Sequence, residues 1–176
     1  QNLSVVDQDG KTLPVNDIGD IELGPSDNSE FKYLGEDGKK IISATGRVKT
    51  GDMGYLDKEG FLYVSGRAKD LIIRGGINIS PLEIENVLLE MPGIAEAASL
   101  GVEDKIYGEA IVALVVLQAG SPVNSDLIIS HCQQNLSAVK IPANISIVDN
   151  LPKTDRGKLD RKSLEKLWSA TEKVTI

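Results

Sequence analysis

The sequence predicts an α+β (α/β) fold, in which a small C-terminal domain with a mixed sheet and about three flanking helices follows an all-β segment. Up to about residue 66, short apolar or alternating runs are separated by turn residues, and no helix is convincing. From about residue 67, β-branched runs alternate with capped segments of helical spacing. We therefore predict two parts, residues 1–68 and residues 69–176.

The first part is predicted to contain short strands joined by turns. Residues 3–7 and 18–23 show the alternation that is typical of strands. The clearest hairpin spans residues 54–64, with turn residues at its centre. Residues 24–40 are rich in Gly, Ser, Asp and Lys, which predicts a loop.

The second part is predicted to contain helices and strands in alternation. The first two predicted helices begin at a capping residue, at the capping box of Ser80 and Glu83 and at Asn124, and the last runs from Asp160 to about Trp168. The predicted strands are rich in β-branched and small residues, and they lie at residues 71–73, 94–102, 110–117 and 145–148.

Composition and charge narrow the classes of function. With 176 residues, of which 41% are hydrophobic, the chain can bury an ordinary core. The net charge of −7 disfavours nucleic acid as a partner, because an acidic surface repels phosphodiester backbones. No apolar run approaches the roughly 18 residues that span a bilayer. A single cysteine permits no internal disulfide, which favours a cytoplasmic protein.

The single histidine and the single cysteine, His131 and Cys132, are neighbours in the second predicted helix. One residue of each type is too few for a zinc site or for a Cys–His dyad with a third orienting group. We therefore predict no metal site here, and we interpret Cys132 as a core residue and His131 as a surface residue.

Asp52 is a candidate ligand of a vicinal diol. It ends the tripeptide Thr50-Gly51-Asp52, at the predicted end of a loop just before a strand. A carboxylate there can accept hydrogen bonds from both hydroxyls of a ribose, each worth about 1.5–3 kcal/mol. The tripeptide alone favours the simpler interpretation of a solvated turn aspartate.

Two further segments have a structural and a functional interpretation. Residues 66–70, GRAKD, lie at the predicted boundary and form either a surface charge network or a hinge between domains. Gly75 and Gly76 follow a short strand and provide either a left-handed turn or a close approach for a ligand.

Residues 153–162 form a basic segment in an acidic chain, with five basic and two acidic residues. Gly157 beside Lys158 gives the loop the freedom to bring an ammonium group to a phosphate. The spacing of a phosphate-binding P-loop is absent. The alternative is a solvated charged turn before the last helix.

The order and spacing of these motifs are more specific than any one of them. The series TGD at 50–52, GRAKD at 66–70, IRGGINISPLEIE at 73–85 and LPKTDRGKLDR at 151–161 resembles the adenylate-forming superfamily. The resemblance covers nearly the whole chain. Within that superfamily, residues 75–81 are more similar to acyl-CoA and aryl-CoA synthetases than to peptide adenylation domains.

The resemblance implies roles in the first half-reaction of these enzymes, in which a carboxylic acid and ATP give an acyl-adenylate and pyrophosphate. Asp52 is expected to hold the ribose hydroxyls, with Arg67 nearby. Lys158 is expected to be the catalytic lysine between the substrate carboxylate and the α-phosphate. ATP and Mg²⁺ are implied, with the Mg²⁺ ligands expected mainly outside this chain.

The resemblance also implies roles in thioester formation with coenzyme A. Lys69 is expected to be the hinge about which the small C-terminal domain rotates, and Gly75 and Gly76 are expected to line the pantetheine path. The partners implied are a small carboxylic acid from fatty or aromatic acid metabolism, CoA, and the large N-terminal adenylation domain.

The family's phosphate loop, adenine platform and acyl pocket are expected upstream of Gln1. We therefore predict that this chain alone does not activate an acid. Two alternatives remain open at this stage: an adenylation domain that loads a carrier protein, and a freestanding binding module that has kept the fold.

Overall fold

The computed structural model describes residues 3–24, 42–43, 46–171 and 174–175. The chain forms two compact units, Gln1–Lys69 and Asp70–Ile176. Most of the predicted loop at 24–40 lies outside the described residues.

The described strands of the first unit form an antiparallel sheet in the order β1-β2-β3-β4. They are β1 (Leu3–Val6), β2 (Gly19–Leu23), β3 (Val48–Leu56) and β4 (Leu62–Arg67). Buried aliphatic side chains from three of these strands form its core: Val5, Val6, Ile21 and Val48. The hairpin of β3 and β4 was predicted, but β3 begins before Thr50, so the TGD motif lies inside a strand and not in a loop.

The second unit contains a mixed sheet with β8 at its centre. Its described strands are β5 (Ile72–Arg74), β6 (Ile77–Ile79), β7 (Ile94–Asp104), β8 (Gly108–Leu117), β9 (Asn144–Ile147) and β10 (Val174–Thr175). Strand β8 pairs antiparallel with β7 and β5 and parallel with β9. The predicted mixed sheet is therefore confirmed.

Three α-helices among the described residues cover the sheet: α1 (Pro81–Glu90), α2 (Ser125–Asn135) and α3 (Arg161–Ala170). Successive side chains of β8 point to opposite faces because the side-chain period of a strand is two residues. One face packs with α1 and α2 in a cluster that includes Ile84, Leu88, Ile111, Ala113, Val115, Ile128 and Cys132. The other face packs with α3 in a cluster that includes Val112, Leu114, Leu164 and Trp168. The α+β fold that the sequence predicted is confirmed.

Tertiary contacts change two local predictions, the role of Glu83 at the start of α1 and the exposure of His131. The side chain of Ser80 makes no cap hydrogen bond to α1, and Glu83 pairs with a distant residue, since Lys140 Nζ donates to both of its carboxylate oxygens at 2.6 and 2.9 Å. His131 is not a surface residue. It is half-buried, and its Nε2 donates to the Val87 carbonyl at 2.8 Å, which ties α2 to α1.

Two adjacent leucines of α1 give a direct test of this packing. Leu88 is 0% exposed in the core cluster, whereas Leu89 is 46% exposed. We expect Leu88→Ala to lower the free energy of unfolding by about 2–5 kcal/mol, because the cavity adds to the lost burial. Leu89→Ala should change it by less than about 0.5 kcal/mol. Urea denaturation measures both, and equal losses would contradict the assigned face of α1.

Candidate functional site

Asp52 and Arg67 form a cross-strand pair at the end of the β3–β4 hairpin. They are opposite each other in the strand register, and Arg67 Nε donates to Asp52 Oδ1 at 3.1 Å. Both side chains are exposed, at 54% for Arg67 and 36% for Asp52. The second carboxylate oxygen of Asp52 receives no hydrogen bond from a described residue, so it is available to a diol.

The backbone around Asp52 is held by Thr50. The Thr50 hydroxyl accepts from the Asp52 amide at 3.1 Å and donates to the Ile21 carbonyl on β2 at 2.9 Å. Gly51 has a φ of +78°, which a residue with a Cβ rarely adopts. The TGD tripeptide is therefore a fixed irregularity within a strand, and it presents the carboxylate of Asp52 in one direction.

Lys158 lies near the end of a tight hairpin loop before α3. The Thr154 amide donates to the Lys158 carbonyl at 2.7 Å, and the Gly157 amide donates to the Thr154 carbonyl at 2.8 Å. Gly157 has a φ of +77°, which allows the chain to reverse there. The side chain of Lys158 is exposed and makes no ion pair with any described residue. The loop thus presents an uncommitted ammonium group to solvent.

Contacts on both sides hold the base of this loop. Lys153 Nζ donates to Glu96 Oε1 of β7 at 2.8 Å. Asp160 caps α3 by accepting from the amides of Lys162 and Ser163 at 3.1 and 3.4 Å. The hydroxyl of Ser163 donates to Asp160 at 2.7 Å, and this bond is the main cause that lowers the pKa of Asp160 below its usual range.

The basic segment is less available to a phosphate than its sequence indicates. Lys153 pairs with Glu96, and Arg161 pairs with Asp70 and Glu85. These acidic partners are far from the loop in sequence, so the local charge count could not reveal them. Lys158 and Arg156 are the basic residues of the loop tip that the described ion pairs do not use.

Gly75 and Gly76 connect β5 to β6, a strand that the sequence did not predict. Their φ values are +58° and +81°, and two positive values are the pattern of a type I′ hairpin turn. The Gly75 amide donates to the Tyr107 carbonyl at 2.8 Å. No heavy atom lies within 4 Å of the place where a Cβ of Gly76 would be. The turn is therefore open on one side, and the exposed side chains of Ile73 and Ile77 flank it.

Lys69 is the last residue of the first unit and lies in the 3₁₀ helix Ala68–Asp70. Its side chain is exposed. The next residue, Asp70, is held within the second unit, because Arg161 Nε lies 3.3 Å from its Oδ2. The change of compact unit thus falls at the predicted hinge residue.

Other candidate chemistry is not supported in the described part of the chain. Cys132 is buried, and burial raises the pKa of its thiol to about 11, so the thiol is not a ready nucleophile. Its interpretation as a core residue is confirmed. Among the described residues, no group of three or more His, Cys, Asp or Glu side chains is placed to hold a metal ion. No described helix is long and apolar enough to cross a membrane.

Comparison with known proteins decides the family. The model of the AMP-binding enzyme C-terminal domain matches residues 83–158. The sulfoacetate–CoA ligase of Cupriavidus necator is 38% identical over 161 residues, which cover 91% of this chain and 32% of that protein. The chain belongs to the adenylate-forming superfamily. Its resemblance to CoA ligases, stated above from four motifs, is confirmed, and what it matches in them is the C-terminal part.

Other members of the superfamily give the same result. The oxalate–CoA ligase of Arabidopsis thaliana is 37% identical over 163 residues, or 92% of this chain and 32% of that protein. ATP-bound MatB from Rhodopseudomonas palustris superposes with a TM-score of 0.84 at 34% identity, covering 96% of this chain and 34% of that one. The o-succinylbenzoate CoA synthetase of Bacillus subtilis, bound to its acyl-adenylate, superposes with a TM-score of 0.80 at 39% identity. The match covers 93% of this chain and 34% of that one. The chain of 176 residues thus spans about a third of the length of the relatives that it matches.

Proposed function

We propose that the chain is the C-terminal part of an AMP-forming acyl-CoA or aryl-CoA synthetase. The enzyme converts a carboxylic acid and ATP to an acyl-adenylate and pyrophosphate, and then transfers the acyl group to CoA. The observation that carries this proposal is the uncommitted ammonium group of Lys158 on a loop that is held at both ends. The CoA ligases among the relatives support the choice of acceptor.

Lys158 acts electrostatically in the first half-reaction. The attack of a carboxylate on an α-phosphate brings two anions together, and the negative charge on the phosphoryl oxygens grows in the transition state. An ammonium group placed where this charge develops lowers the barrier, and it is most effective when it is fixed beforehand. The hydrogen bonds that close the hairpin fix the backbone from which the side chain of Lys158 extends. Lys158 therefore acts through its charge and not as a general base.

Asp52 and Arg67 bind the nucleotide. The second carboxylate oxygen of Asp52 accepts hydrogen bonds from the ribose hydroxyls, while the guanidinium of Arg67 holds the first. Because these bonds form to substrate and product alike, they contribute to affinity more than to the rate of the chemical step.

The second half-reaction uses a different surface of the second unit. Rotation about Lys69 withdraws Lys158 after adenylation and brings the glycine turn at 75–76 to the adenylate. The open side of Gly76 and the flanking Ile73 and Ile77 suit the narrow, largely apolar pantetheine arm. The thiol of CoA then loses its proton to solvent and attacks the acyl carbonyl. The bond from the acyl carbon to the phosphate oxygen breaks, and AMP leaves with its electron pair.

We place the remaining parts of the active site outside this chain. The large N-terminal adenylation domain supplies the phosphate loop and the acyl pocket. We place the ligands of the Mg²⁺ that accompanies ATP mainly in that domain as well. We place the enzyme in the cytoplasm, where ATP and CoA are available.

Release of pyrophosphate tests this function in the complete enzyme. The first acids to offer are those of the relatives, sulfoacetate, oxalate and 2-succinylbenzoate, and then fatty and aromatic acids. We expect pyrophosphate release that requires ATP and one of these acids, followed by a CoA thioester that mass spectrometry detects. The 176-residue chain alone should release none. Thioester on a phosphopantetheine carrier but not on CoA would contradict the assigned acceptor, and ATP binding without turnover would indicate a binding module.

A further inference from the structure

Arg161, the first residue of α3, is at the centre of a partly buried polar network. Its guanidinium donates from Nη1 to the Ser99 carbonyl at 3.0 Å and from Nη2 to both Glu85 carboxylate oxygens at 3.0 and 3.3 Å. Its Nε lies 3.3 Å from Asp70 Oδ2. One planar side chain thus joins the start of the unit at Asp70, helix α1 at Glu85 and strand β7 at Ser99.

The network is built from groups that are expensive to leave unpaired. Glu85 is 7% exposed and Ser99 is 0% exposed. Glu85 Oε1 also accepts from the Ser99 amide at 2.9 Å, and the Ser99 hydroxyl donates to the Pro81 carbonyl at 3.0 Å. The carboxylates of Asp70 and Glu85 share the positive charge of Arg161. Loss of the Arg161 side chain would therefore leave Glu85 buried without a counter-charge. The geometry of the guanidinium is therefore well determined.

The position of Arg161 in the chain gives the network a consequence for Lys158. Arg161 lies three residues after Lys158, and the intervening Asp160 is fixed both by the cap of α3 and by its amide, which donates to the Pro152 carbonyl at 2.9 Å. At the other end, Asp70 directly follows Lys69. The side chain of Arg161 therefore connects the residue after the predicted hinge, through an ion pair, to the start of α3 at the base of the lysine loop.

We propose that Arg161 is a positioning residue that couples Asp70 to the Lys158 loop. The inference rests on the proposed function and deepens it. When the backbone turns at Lys69, the Asp70–Arg161 contact transmits the turn to the loop, so that Lys158 arrives at the nucleotide in one orientation. Asp70 then marks the point at which the rigid part of the mobile domain begins.

Hydrogen exchange of the 176-residue chain tests the coupling without any substrate. The reporters are the amides of Thr154 and Asp160, which close the loop. We expect Asp70→Ala to raise their exchange rates about tenfold, because it removes one partner of a partly buried ion pair. Asp70→Glu keeps the carboxylate and should retain most of the protection. Arg161→Lys keeps the charge but loses the planar fork, and it should resemble Asp70→Ala.

Glu83→Gln is the matched control. It weakens a different ion pair of the same unit, between the Glu83 carboxylate and the Lys140 ammonium, which does not lead to the loop. It should leave the Thr154 and Asp160 amides unchanged. Unchanged exchange at both amides in Asp70→Ala would overturn the proposal. So would a uniform rise across the core of the second unit, because that result indicates a general structural role.

Kinetics of the complete enzyme connect the coupling to function. For the acid identified by pyrophosphate release, Asp70→Ala should lower kcat for adenylate formation about tenfold, because Lys158 is less well positioned. It should leave KM for ATP and thioester formation from supplied acyl-adenylate unchanged. Equal slowing of both half-reactions overturns the positioning role. If Lys158→Ala also leaves adenylation intact, the proposed function fails, whereas the exchange experiment still decides whether Asp70 and the loop are coupled.

Discussion

Replacing Lys158 with alanine is expected to lower the rate of adenylate formation in the complete enzyme by about 100- to 1,000-fold, while thioester formation from supplied acyl-adenylate continues. The magnitude is that of removing one preorganised charge-stabilising group from a water-excluded site. The selectivity follows because Lys158 and the glycine turn at 75–76 belong to different elements of the second unit, the loop before α3 and the β5–β6 hairpin. Pyrophosphate release measures the first half-reaction, and the CoA thioester measures the second.

Lys162→Ala is the matched control for Lys158→Ala. Lys162 is an exposed lysine four residues later, within the first turn of α3. It should keep both half-reactions within a factor of about two, which is the scale of a surface substitution. Equal loss of both half-reactions in Lys158→Ala would show that one conformation serves both steps and that the assignment of Lys158 to adenylation is wrong.

Replacing Lys69 with proline is expected to leave adenylation largely intact and to reduce thioester formation to background. Proline fixes its own φ and moves the preceding residue, Ala68, away from helical torsions. Both effects act within the 3₁₀ helix Ala68–Asp70, where the chain passes between its compact units. A backbone held in one state there can present only one face of the second unit to the nucleotide. Separate assays of the two half-reactions check this result.

Lys69→Ala provides the control, since it removes the same side chain but keeps the torsional freedom of the backbone. We expect it to retain both half-reactions. Should Lys69→Pro still form thioester at the normal rate, the hinge lies elsewhere. If Lys69→Ala loses thioester formation as well, the side chain of Lys69 and not its backbone is responsible.

The elements that the sequence predicted well are those with local determinants. Helix α2 begins where Asn124 accepts from the Leu127 amide at 3.0 Å, and α3 begins at Asp160, whose carboxylate caps its first turn. The long strands β7 and β8 were recognised by their β-branched runs, with end points that differ by a few residues. Capping and strand propensity operate over a few residues, so a single sequence reveals them.

Two features could not be predicted because distant residues determine them. Strand β6 is three residues long, and it exists because it pairs with β5 across the glycine turn. The sequence predicts the Thr50-Gly51-Asp52 motif at the end of a loop, just before a strand. Pairing with β2 and β4 instead draws it into a strand.

Motif order and spacing are properties of the linear chain, so they were enough to predict the fold class, the family and the candidate residues. The tertiary structure decided which charges are available to a ligand. Lys153 and Arg161 are bound to Glu96, Asp70 and Glu85, whereas Lys158 remains uncommitted among the described residues. The physical reason is that an ion pair depends on the distance between two groups in space, and the sequence separation between Arg161 and its acidic partners gives no indication of it.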